Sequence, residues 1–464
     1  MSIYSNDRPR RKLPVVLALV VVIVVGLVAA GIKYHARIES EPPKITLTPD
    51  TDAVGTAPLE LRVSDTGAGL KSLTVMLGDT TLAAESFAQP VVEKKISLAL
   101  PKGTKEGAAT LKIVARDASL FRGNEAVLQK NITVDLTPPT VELVADDRYI
   151  NFGGVGAIVY QASPDTAVSG VRIGEHFFPG FKGAIQGQPD RFFALFAHPY
   201  DAPADVRAKL VATDKAGNTR EVGLSYELKN VKYKKSTIAL TESFMQSKVA
   251  PLADAGARQG SVKDVCIAVN KTLRQQNEGK IVEVTRNATP QILWKGAFTQ
   301  LSNSKVEANF ADYRTYTWNG EPVDSAYHLG YDLSVTQHYP IEAANSGKVA
   351  FAGDNGIYGN CVMIDHGLGL YTVYGHLSSI DVKVGDAVQA RQVIGKSGQT
   401  GLAAGDHLHF GVYLDGVAVL PVEWWDAKWI NDNITPKLEG RTGDEIAVSQ
   451  QPKARAKTRK PRRR

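Results

Sequence analysis

The chain has 464 residues, of which 43% are hydrophobic and 22% are charged. This composition is typical of a globular protein and excludes a disordered chain, a collagen and a low-complexity fibre. The two cysteines are too few for a disulfide-rich scaffold. The formal net charge of +6 would fit nucleic-acid binding, but its distribution argues against that partner, and none is expected.

The positive charge is concentrated at the two ends of the chain. Residues 453–464 hold eight basic and no acidic residues, and residues 1–12 carry a net charge of +3. Because the whole chain is +6, residues 13–452 carry a net charge of −5. The tail at 431–464 is expected to be disordered. Its basic end predicts binding to anionic envelope polymers or lipid headgroups.

Residues 13–32 form a run of 20 residues without a charge. As a helix this run would extend about 30 Å, the thickness of a hydrocarbon core. The basic cluster at 10–12 predicts a cytoplasmic N-terminal tail at 1–12. We therefore expect a transmembrane signal anchor at 13–32 and a single-pass inner-membrane protein, with its bulk in the periplasm or another extracytoplasmic space. A cleaved signal peptide ending near residues 28–30 is the alternative.

A weak repeat follows this segment. Pro-Pro-Lys-Ile-Thr-Leu at 42–47 returns as Pro-Pro-Thr-Val-Glu-Leu at 138–143, and an Asp followed by Gly-Asn occurs in both copies. Short alternating runs between turn residues predict antiparallel strands. The fold class is therefore mainly β, with two β-sandwiches at 33–136 (including a stalk) and 137–230. Both resemble bacterial immunoglobulin-like modules.

Residues 231–305 predict a short helical connector. Apolar residues at helical spacing begin at Val262 and end at Leu273, and Ser261 is a suitable N-cap. Cys266 falls in this run and Cys361 in another apolar run. Buried free thiols are the simpler interpretation, and a disulfide between them is the alternative.

The C-terminal third holds three histidine patterns, and the first is His-Leu-Gly-Tyr-Asp at 328–332. The central glycine permits a bent backbone, which would bring His328 and Asp332 to one point. Taken alone, a His and an Asp four residues apart are more often solvated surface side chains than a metal site.

The other two patterns predict strands. Tyr-Thr-Val-Tyr-Gly-His at 371–376 alternates aromatic and β-branched residues and predicts a strand that ends at Gly375. Taken alone, His376 is more often a structural hydrogen-bonding residue than a catalyst. Asp-His-Leu-His-Phe at 406–410 follows a glycine-rich loop. Because side chains alternate along a strand, His407 and His409 share one face, and Leu408 and Phe410 face the core.

Together the three patterns supply a donor set for catalytic zinc. Such a site takes three protein ligands, with imidazole nitrogen and carboxylate oxygen as suitable donors, and one water. His328, Asp332 and either His407 or His409 give this number. The remaining histidine and His376 would then accept the proton of the water. The sequence has no His-Glu-x-x-His motif, so a glutamate base of that type is not expected.

The order of these motifs resembles the LytM/lysostaphin-type zinc metallopeptidases. This resemblance implies an antiparallel β-sheet peptidase domain at 306–430 that binds one Zn²⁺ through His328, Asp332 and His409. It also implies that His376 and His407 lie beside the zinc-bound water as catalytic residues, and that peptidoglycan is the substrate. Asp406, Ala404 and Gly411 depart from the family pattern, which puts the shape of the groove and the choice of substrate in doubt.

The sequence thus predicts a membrane-anchored zinc endopeptidase that cleaves peptide bonds in peptidoglycan stems or cross-links. Two alternatives remain. A non-enzymatic LytM-like regulator would use the same groove to bind and activate another cell-wall hydrolase. A latent enzyme would have Glu278, Glu283 or Asp312 reaching the metal.

Overall fold

The computed structural model describes residues 13–34, 40–120, 123–203 and 205–441. The structure is mainly β, as predicted, with 45% strand and 17% helix. It divides into two compact units. The first contains the described residues up to Pro138 together with Thr213–Asn218, and the second contains Pro139–Ala212 and the described residues from Thr219 onward.

The predicted membrane anchor is wrong. Helix α1 covers Leu13–Tyr34, but no helix among the described residues is both long and apolar enough to cross a membrane. The single-pass inner-membrane localisation and the membrane contact at 13–32 are therefore not supported. The segments 1–12 and 442–464 lie outside the described residues.

Eight strands in two sheets build the first unit. They are β1 (Lys44–Thr48), β2 (Ala53–Val54), β3 (Leu59–Ser64), β4 (Leu70–Leu77), β5 (Thr80–Val91), β6 (Glu93–Leu98), β7 (Gly107–Asp117) and β8 (Glu125–Val134). The sheet orders are β1-β3-β6 and β2-β8-β7-β4-β5. Burial alternates along β3, and the inward side chains form a separate core that includes Leu73 and Ile113. The immunoglobulin-like assignment stays a prediction.

The repeated Asp…Gly-Asn pattern makes the same contacts in both copies. Asp117 accepts hydrogen bonds from the backbone N–H of Asn124 at 2.7 Å and from its side-chain amide at 2.8 Å. Asp214 accepts the corresponding pair from Asn218, both at 2.9 Å. Each aspartate thereby closes a turn between two strands, so this pattern has a structural role.

Ten strands follow, and all of them belong to the second unit except the last two residues of β16. They are β9 (Val141–Ala145), β10 (Tyr149–Asn151), β11 (Val155–Ala162), β12 (Thr166–Ile173), β13 (His176–Pro179), β14 (Phe181–Lys182), β15 (Phe192–Ala197), β16 (Lys209–Asp214), β17 (Thr219–Gly223) and β18 (Glu227–Lys229). Two four-stranded sheets have the orders β14-β15-β11-β9 and β13-β12-β16-β17, and β10 pairs with β18. We call this part, residues 141–229, the second β region.

Residues 231–305, which we call the connector, contain one strand and several helical segments. These elements are β19 (Lys235–Ala239), α2 (Glu242–Phe244), α3 (Val262–Ile267), α4 (Arg274–Thr285), the π-helical segments Met245–Val249 and Ala268–Leu273, and the 3₁₀ segments Ala250–Leu252 and Ala257–Gln259. Ser261 caps α3 in a reciprocal capping box with Asp264, which confirms the predicted N-cap. Val265, Cys266 and Val269 are buried. Both Cys266 and Cys361 are buried free thiols.

The C-terminal part of the second unit contains the remaining elements. They are β20 (Lys305–Ala308), β21 (Asp312–Trp318), β22 (Glu321–His328), β23 (Tyr331–Ser334), β24 (Pro340–Glu342), β25 (Gly347–Asp354), β26 (Asn360–Gly367), β27 (Leu370–Leu377), β28 (Ser379–Ile380), β29 (Ala387–Val388), β30 (Val393–Lys396), β31 (Leu408–Leu414), β32 (Val417–Val419), α5 (Pro421–Trp425), α6 (Ala427–Asn433) and α7 (Thr435–Leu438), with a 3₁₀ turn at Gly356–Tyr358. The central sheet runs β20-β23-β31-β27-β26-β25-β29, with β32 beside β31. The sheets β19-β21-β22 and β24-β30-β28 accompany it.

The central sheet has two differently covered faces. Leu408, Phe410 and Val412 lie on what we call the core face and share one apolar core with the second β region. Their neighbour Tyr413 and the residues Met363 and Val373 lie on the opposite connector face and share a core with the connector helices. The alternation of side chains along β31 thus separates the two environments, as the sequence predicted for Leu408 and Phe410.

Buried polar contacts also join the core-face side to the second β region. Glu423 in α5 accepts hydrogen bonds from the side chain of Asn151 at 2.7 Å and from the backbone N–H of Val155 at 2.9 Å. Lys437 in α7 forms a buried ion pair with Asp147 at 2.5 Å. The first residues of the predicted tail, up to residue 441, are therefore structured.

Candidate metal centre

Three side chains from three strands meet at the connector face. His328 ends β22, Asp332 lies in β23, and His409 lies in β31 directly opposite Asp332 in the strand register. Oδ1 of Asp332 is 2.9 Å from Nε2 of His328 and 3.1 Å from Nδ1 of His409. The two ring nitrogens are 3.1 Å apart. This grouping could hold a metal ion.

Gly330 is required by the closeness of the His409 ring. A Cβ atom added at this position would lie 2.7 Å from Nε2 of His409 and 2.6 Å from the backbone oxygen of Phe410. The central glycine of the first pattern therefore allows close approach between β23 and β31. The sequence predicts a backbone bend at this residue but does not identify His409 as the neighbour that requires the glycine.

Backbone carbonyls orient three of the histidine rings. Nδ1 of His328 is 2.9 Å from the carbonyl of Asn309, Nδ1 of His376 is 2.8 Å from that of Thr400, and Nδ1 of His407 is 2.8 Å from that of Gly405. Because a carbonyl only accepts, each Nδ1 carries the proton and donates. Nε2 of each neutral ring is then an acceptor, available to a metal or a proton.

His376 and His407 complete the cluster. Their ring centroids are 4.8 Å apart, and that of His376 is 5.9 Å from that of His409. Nε2 of His407 lies 3.5 Å from Oδ1 of Asp332. The structure therefore brings all five predicted residues into one site, with His376 near the end of β27 and His407 directly before β31.

A backbone irregularity turns His376 toward this site. Strict alternation would place His376 on the same face as Thr372 and Tyr374, and Tyr374 belongs to the core face. The pairing of β26 with β27 shifts register at this point, and His376 has a φ of 64°. A bulge with a left-handed residue costs energy for a non-glycine side chain and is common at functional sites. Here it moves the imidazole to the connector face.

Arg314 is a further residue of the site that the histidine patterns do not contain. It lies in β21, and its Nη2 donates to Oδ2 of Asp332 at 3.2 Å. Its Nε donates to the buried Asp312 at 3.4 Å. An arginine in a strand carries no distinctive signal in one sequence, so only its position next to a predicted ligand reveals it.

The pKa values follow burial and the charges of these neighbours. Burial disfavours the ionised form of Asp332, but the charge and hydrogen bond of His328 and the hydrogen bonds of His407 and His409 hold its pKa well below the usual range. Burial lowers the pKa of His409 to about 4. Burial and, to a lesser extent, the charges of His407 and His409 also hold the pKa of His376 well below the usual range.

His407 is shifted in the opposite direction. Burial disfavours its charged ring, but the hydrogen bond and charge of Asp332 outweigh this effect and raise its pKa. The pKa values of the two histidines that flank the predicted ligands are thus shifted in opposite directions.

A pocket of about 380 Å³ lies in front of these side chains. Its lining includes the four histidines of the cluster and the connector residues Ile238–Thr241, Phe244 and Arg274. Nζ of the connector's Lys248 donates to the backbone oxygen of Gln399 in the glycine-rich loop at 2.7 Å. The connector therefore forms part of the groove.

The other candidates from the sequence lie elsewhere or act structurally. The only grouping that includes His328, among the described residues, contains Asp332 and His409 and none of Glu278, Glu283 or Asp312. Both ring nitrogens of His366 form hydrogen bonds within the core face. Nδ1 contacts the backbone oxygen of Ser346, and Nε2 contacts the hydroxyl of Thr372. The hydroxyl of Tyr374 accepts from the backbone N–H of Ala344 at 2.7 Å, which supports a packing role.

The donor set fits zinc. Two imidazole nitrogens and one carboxylate oxygen converge within 4.8 Å of one another, as in three-ligand catalytic zinc sites. Nε2 of the buried His409 has no hydrogen-bond partner. Its Nδ1 faces the cluster and contacts Oδ1 of Asp332. The ring also packs against Tyr358, at a centroid distance of 5.3 Å.

Comparison with known proteins identifies the domain. Residues 326–421 match the profile of Peptidase family M23. The DD-carboxypeptidase/endopeptidase Mpg of Neisseria meningitidis is 41% identical over 95 residues, which cover 20% of this chain and 22% of that protein. Stage II sporulation protein Q of Bacillus subtilis is 31% identical over 178 residues, 38% of this chain and 59% of that protein. The chain thus matches less than two thirds of either relative.

Solved structures are also similar to this chain. The catalytic domain of lysostaphin from Staphylococcus simulans is 32% identical and aligns over 28% of this chain and 98% of its own, with a TM-score of 0.25.

Proposed function

We propose that the Peptidase family M23 domain at residues 326–421 makes this protein a zinc-dependent endopeptidase that hydrolyses peptide bonds in peptidoglycan stems or cross-links. The observation that supports this most is the convergence of His328, Asp332 and His409 with two additional histidines at one pocket. The resemblance to LytM/lysostaphin-type enzymes, stated from the motifs, agrees with the family match. The relative from Neisseria meningitidis is named as a peptidase.

Each residue of the site has a chemical task in this proposal. His328, Asp332 and His409 would hold one Zn²⁺. Bound zinc supplies Lewis acidity, which lowers the pKa of water to about 7 and polarises a carbonyl. His376 presents Nε2 as an acceptor because a backbone carbonyl fixes the proton on Nδ1. Nε2 of His407 lies 3.5 Å from Oδ1 of Asp332 and donates to it when both ring nitrogens are protonated.

Proton transfer is assigned to these two histidines. One imidazole accepts the proton of the attacking water, and the resulting imidazolium can return it to the leaving amine. The other imidazole can stabilise the developing oxyanion when it is protonated. The contact of His407 with the Asp332 carboxylate favours His407 as the donor, which leaves His376 as the base.

The test uses the full chain with purified peptidoglycan. The zinc-loaded protein should release fragments with new amino termini, which mass spectrometry of the products would identify, and a chelator should stop the release. His376→Ala and His407→Ala should each reduce the rate by about 10²–10⁴-fold. Fragments that persist at the same rate in both variants would contradict the proposal.

A second candidate is a regulator that binds a partner through the same groove. The similarity to Stage II sporulation protein Q, which is not named as a peptidase, supports this role. The connector residues that line the pocket also support it, because they add a surface that a partner could contact. Zinc binding without any new amino termini from peptidoglycan would favour this role. In that case, a mixture with other cell-wall hydrolases should show increased cleavage.

A further inference from the structure

We infer that Arg314 is a positioning residue for the metal centre, because its guanidinium links the Asp332 ligand to a carboxylate that the connector holds. The inference rests on the proposed zinc site. It concerns a residue outside the matched region 326–421 and outside the three histidine patterns.

The two oxygens of Asp332 have different partners. Oδ1 faces the nitrogens of His328, His407 and His409, at 2.9 to 3.5 Å. Oδ2 accepts the hydrogen bond from Arg314 at 3.2 Å. A carboxylate that rotates freely could present either oxygen, so this contact selects Oδ1 as the metal donor. Contacts of this kind orient metal ligands, and their loss typically costs about 10–100-fold in metal affinity.

Arg314 is itself held from the other side. Its Nε donates to Oδ2 of Asp312 at 3.4 Å. The exposed side-chain fractions are 18% for Arg314, 5% for Asp312 and 15% for Asp332. A charge placed between two largely buried carboxylates is screened much less than a surface ion pair. The guanidinium therefore fixes the distance between the two carboxylates.

The connector completes this arrangement. Ser236 in β19 is the register partner of Arg314, and its hydroxyl donates to the Asp312 carboxylate, 2.8 Å from Oδ1. Asp312 is in turn the register partner of the ligand His328. The sheet β19-β21-β22 thus carries a continuous path of contacts from a connector serine to a metal ligand.

The chemistry of the link favours arginine over lysine. A planar guanidinium offers several N–H donors in fixed directions and can contact two carboxylates at once, whereas an ammonium group acts as a point charge. Arg314→Lys should therefore restore the charge and only part of the geometry. Arg314→Met should remove both while keeping much of the side-chain volume.

The experiment measures metal affinity directly. Zinc is titrated into the full-length metal-free protein in competition with a chromogenic chelator. Arg314→Met should weaken binding by about 10–100-fold, Arg314→Lys should fall between this variant and the wild type, and Ser236→Ala should cause a smaller loss. Visible absorption of the Co²⁺-substituted protein should change in band position or intensity in Arg314→Met.

Controls separate positioning from general destabilisation and from substrate binding. Arg258→Met removes an arginine that bonds only backbone oxygens of Ala253 and Pro251 in the connector, and it should leave zinc affinity unchanged. Thermal unfolding of the metal-free variants checks folding.

One result would overturn the inference: a folded Arg314→Met protein that keeps the wild-type zinc affinity and Co²⁺ spectrum and shows only an increased KM. If the wild type itself binds no zinc, the proposed function fails; if it binds zinc but cleaves nothing, positioning is still measurable.

Discussion

The two faces of the central sheet place similar side chains in different environments. On the core face, His366 lies within the shared apolar core, and burial lowers its pKa to about 4. On the connector face, His376, His407 and His409 border a pocket and converge with Asp332. Both faces contain buried histidines with hydrogen bonds to backbone carbonyls. What distinguishes them is a convergent carboxylate and an accessible pocket.

This contrast assigns different consequences to substitutions on each face. Side chains on the core face hold the second β region and the C-terminal helices together, so their loss should reduce the free energy of unfolding. Side chains at the pocket are constrained for binding, so their loss should reduce zinc affinity or activity more than stability. The following predictions test this division.

The largest effect is expected from His409→Ala. Removing one of three proposed ligands should abolish stoichiometric zinc binding and reduce peptidase activity by more than about 100-fold. The matched change on the other face is His366→Ala, which should destabilise by about 1–3 kcal/mol because its hydrogen-bonding partners stay buried. Zinc titration and urea unfolding of both variants measure the two quantities. Equal zinc affinity in the two variants would contradict the division between the faces.

Trp424→Ala should give the largest loss of stability. Trp424 is fully buried and packs edge-on against Trp294 and Phe298, with centroids 5.7 and 5.5 Å away. Truncation of a buried tryptophan costs about 3–5 kcal/mol. Val422→Ala is the control, since Val422 is 40% exposed and should change unfolding little. A Trp424→Ala protein that unfolds at wild-type urea concentrations would show that this core does not stabilise the unit.

The core face should also make stability depend on pH. Burial raises the pKa of Glu423 to about 8 from its ordinary value of 4.5, although hydrogen bonds from Asn151 and Val155 oppose the shift. The folded state therefore binds more protons than the unfolded state between these values. This contribution is fully present below pH 4.5 and is lost as the pH rises through 8, at up to about 1.4 kcal/mol per pH unit.

Glu423→Gln isolates this effect. The amide has no charge to bury, and a flip of the Asn151 side chain would preserve both hydrogen bonds. The difference in free energy of unfolding between the wild type and this variant should therefore move in favour of the variant from pH 5 to pH 8. A difference that is constant over that range would mean that Glu423 does not titrate in the folded protein.

The sequence predicts the members of the site better than their arrangement. The five predicted site residues lie in short local patterns: His328, Asp332, His376, His407 and His409. Because imidazole and carboxylate groups serve mainly as metal ligands and proton carriers, such patterns suggest a metal site. The shared core with the second β region was not predictable, because local periodicity identifies a strand's buried face without identifying what covers it. Apolar composition alone likewise suggested a membrane anchor at 13–32 that the structure does not support.

Arg314 and the bulge at His376 were missed for related reasons. An arginine in an alternating strand is usually a surface residue, and its contact with Asp332 joins two strands that are separated along the chain. A bulge shifts every later side chain to the other face. Gly375 directly before His376 is a signal for such a bulge, but it equally fits the end of the strand. Both features depend on tertiary packing, which one sequence does not display.

The smallest change in stability is expected at this bulge. His376 adopts a left-handed φ of 64°, which costs about 1–2 kcal/mol for a residue with a Cβ. His376→Gly removes that strain but adds chain entropy of about 0.5–1 kcal/mol in the unfolded state, so the free energy of unfolding should change by less than about 1 kcal/mol. Peptidase activity should nevertheless fall strongly, because the imidazole is lost.

His376→Ala is the control for the backbone effect. It keeps the Cβ, so it should be slightly less stable than His376→Gly, and its activity should be equally low. If His376→Gly instead destabilises the protein by several kcal/mol, the ring has a packing role on the connector face, and the division between a stabilising face and a functional face does not hold there.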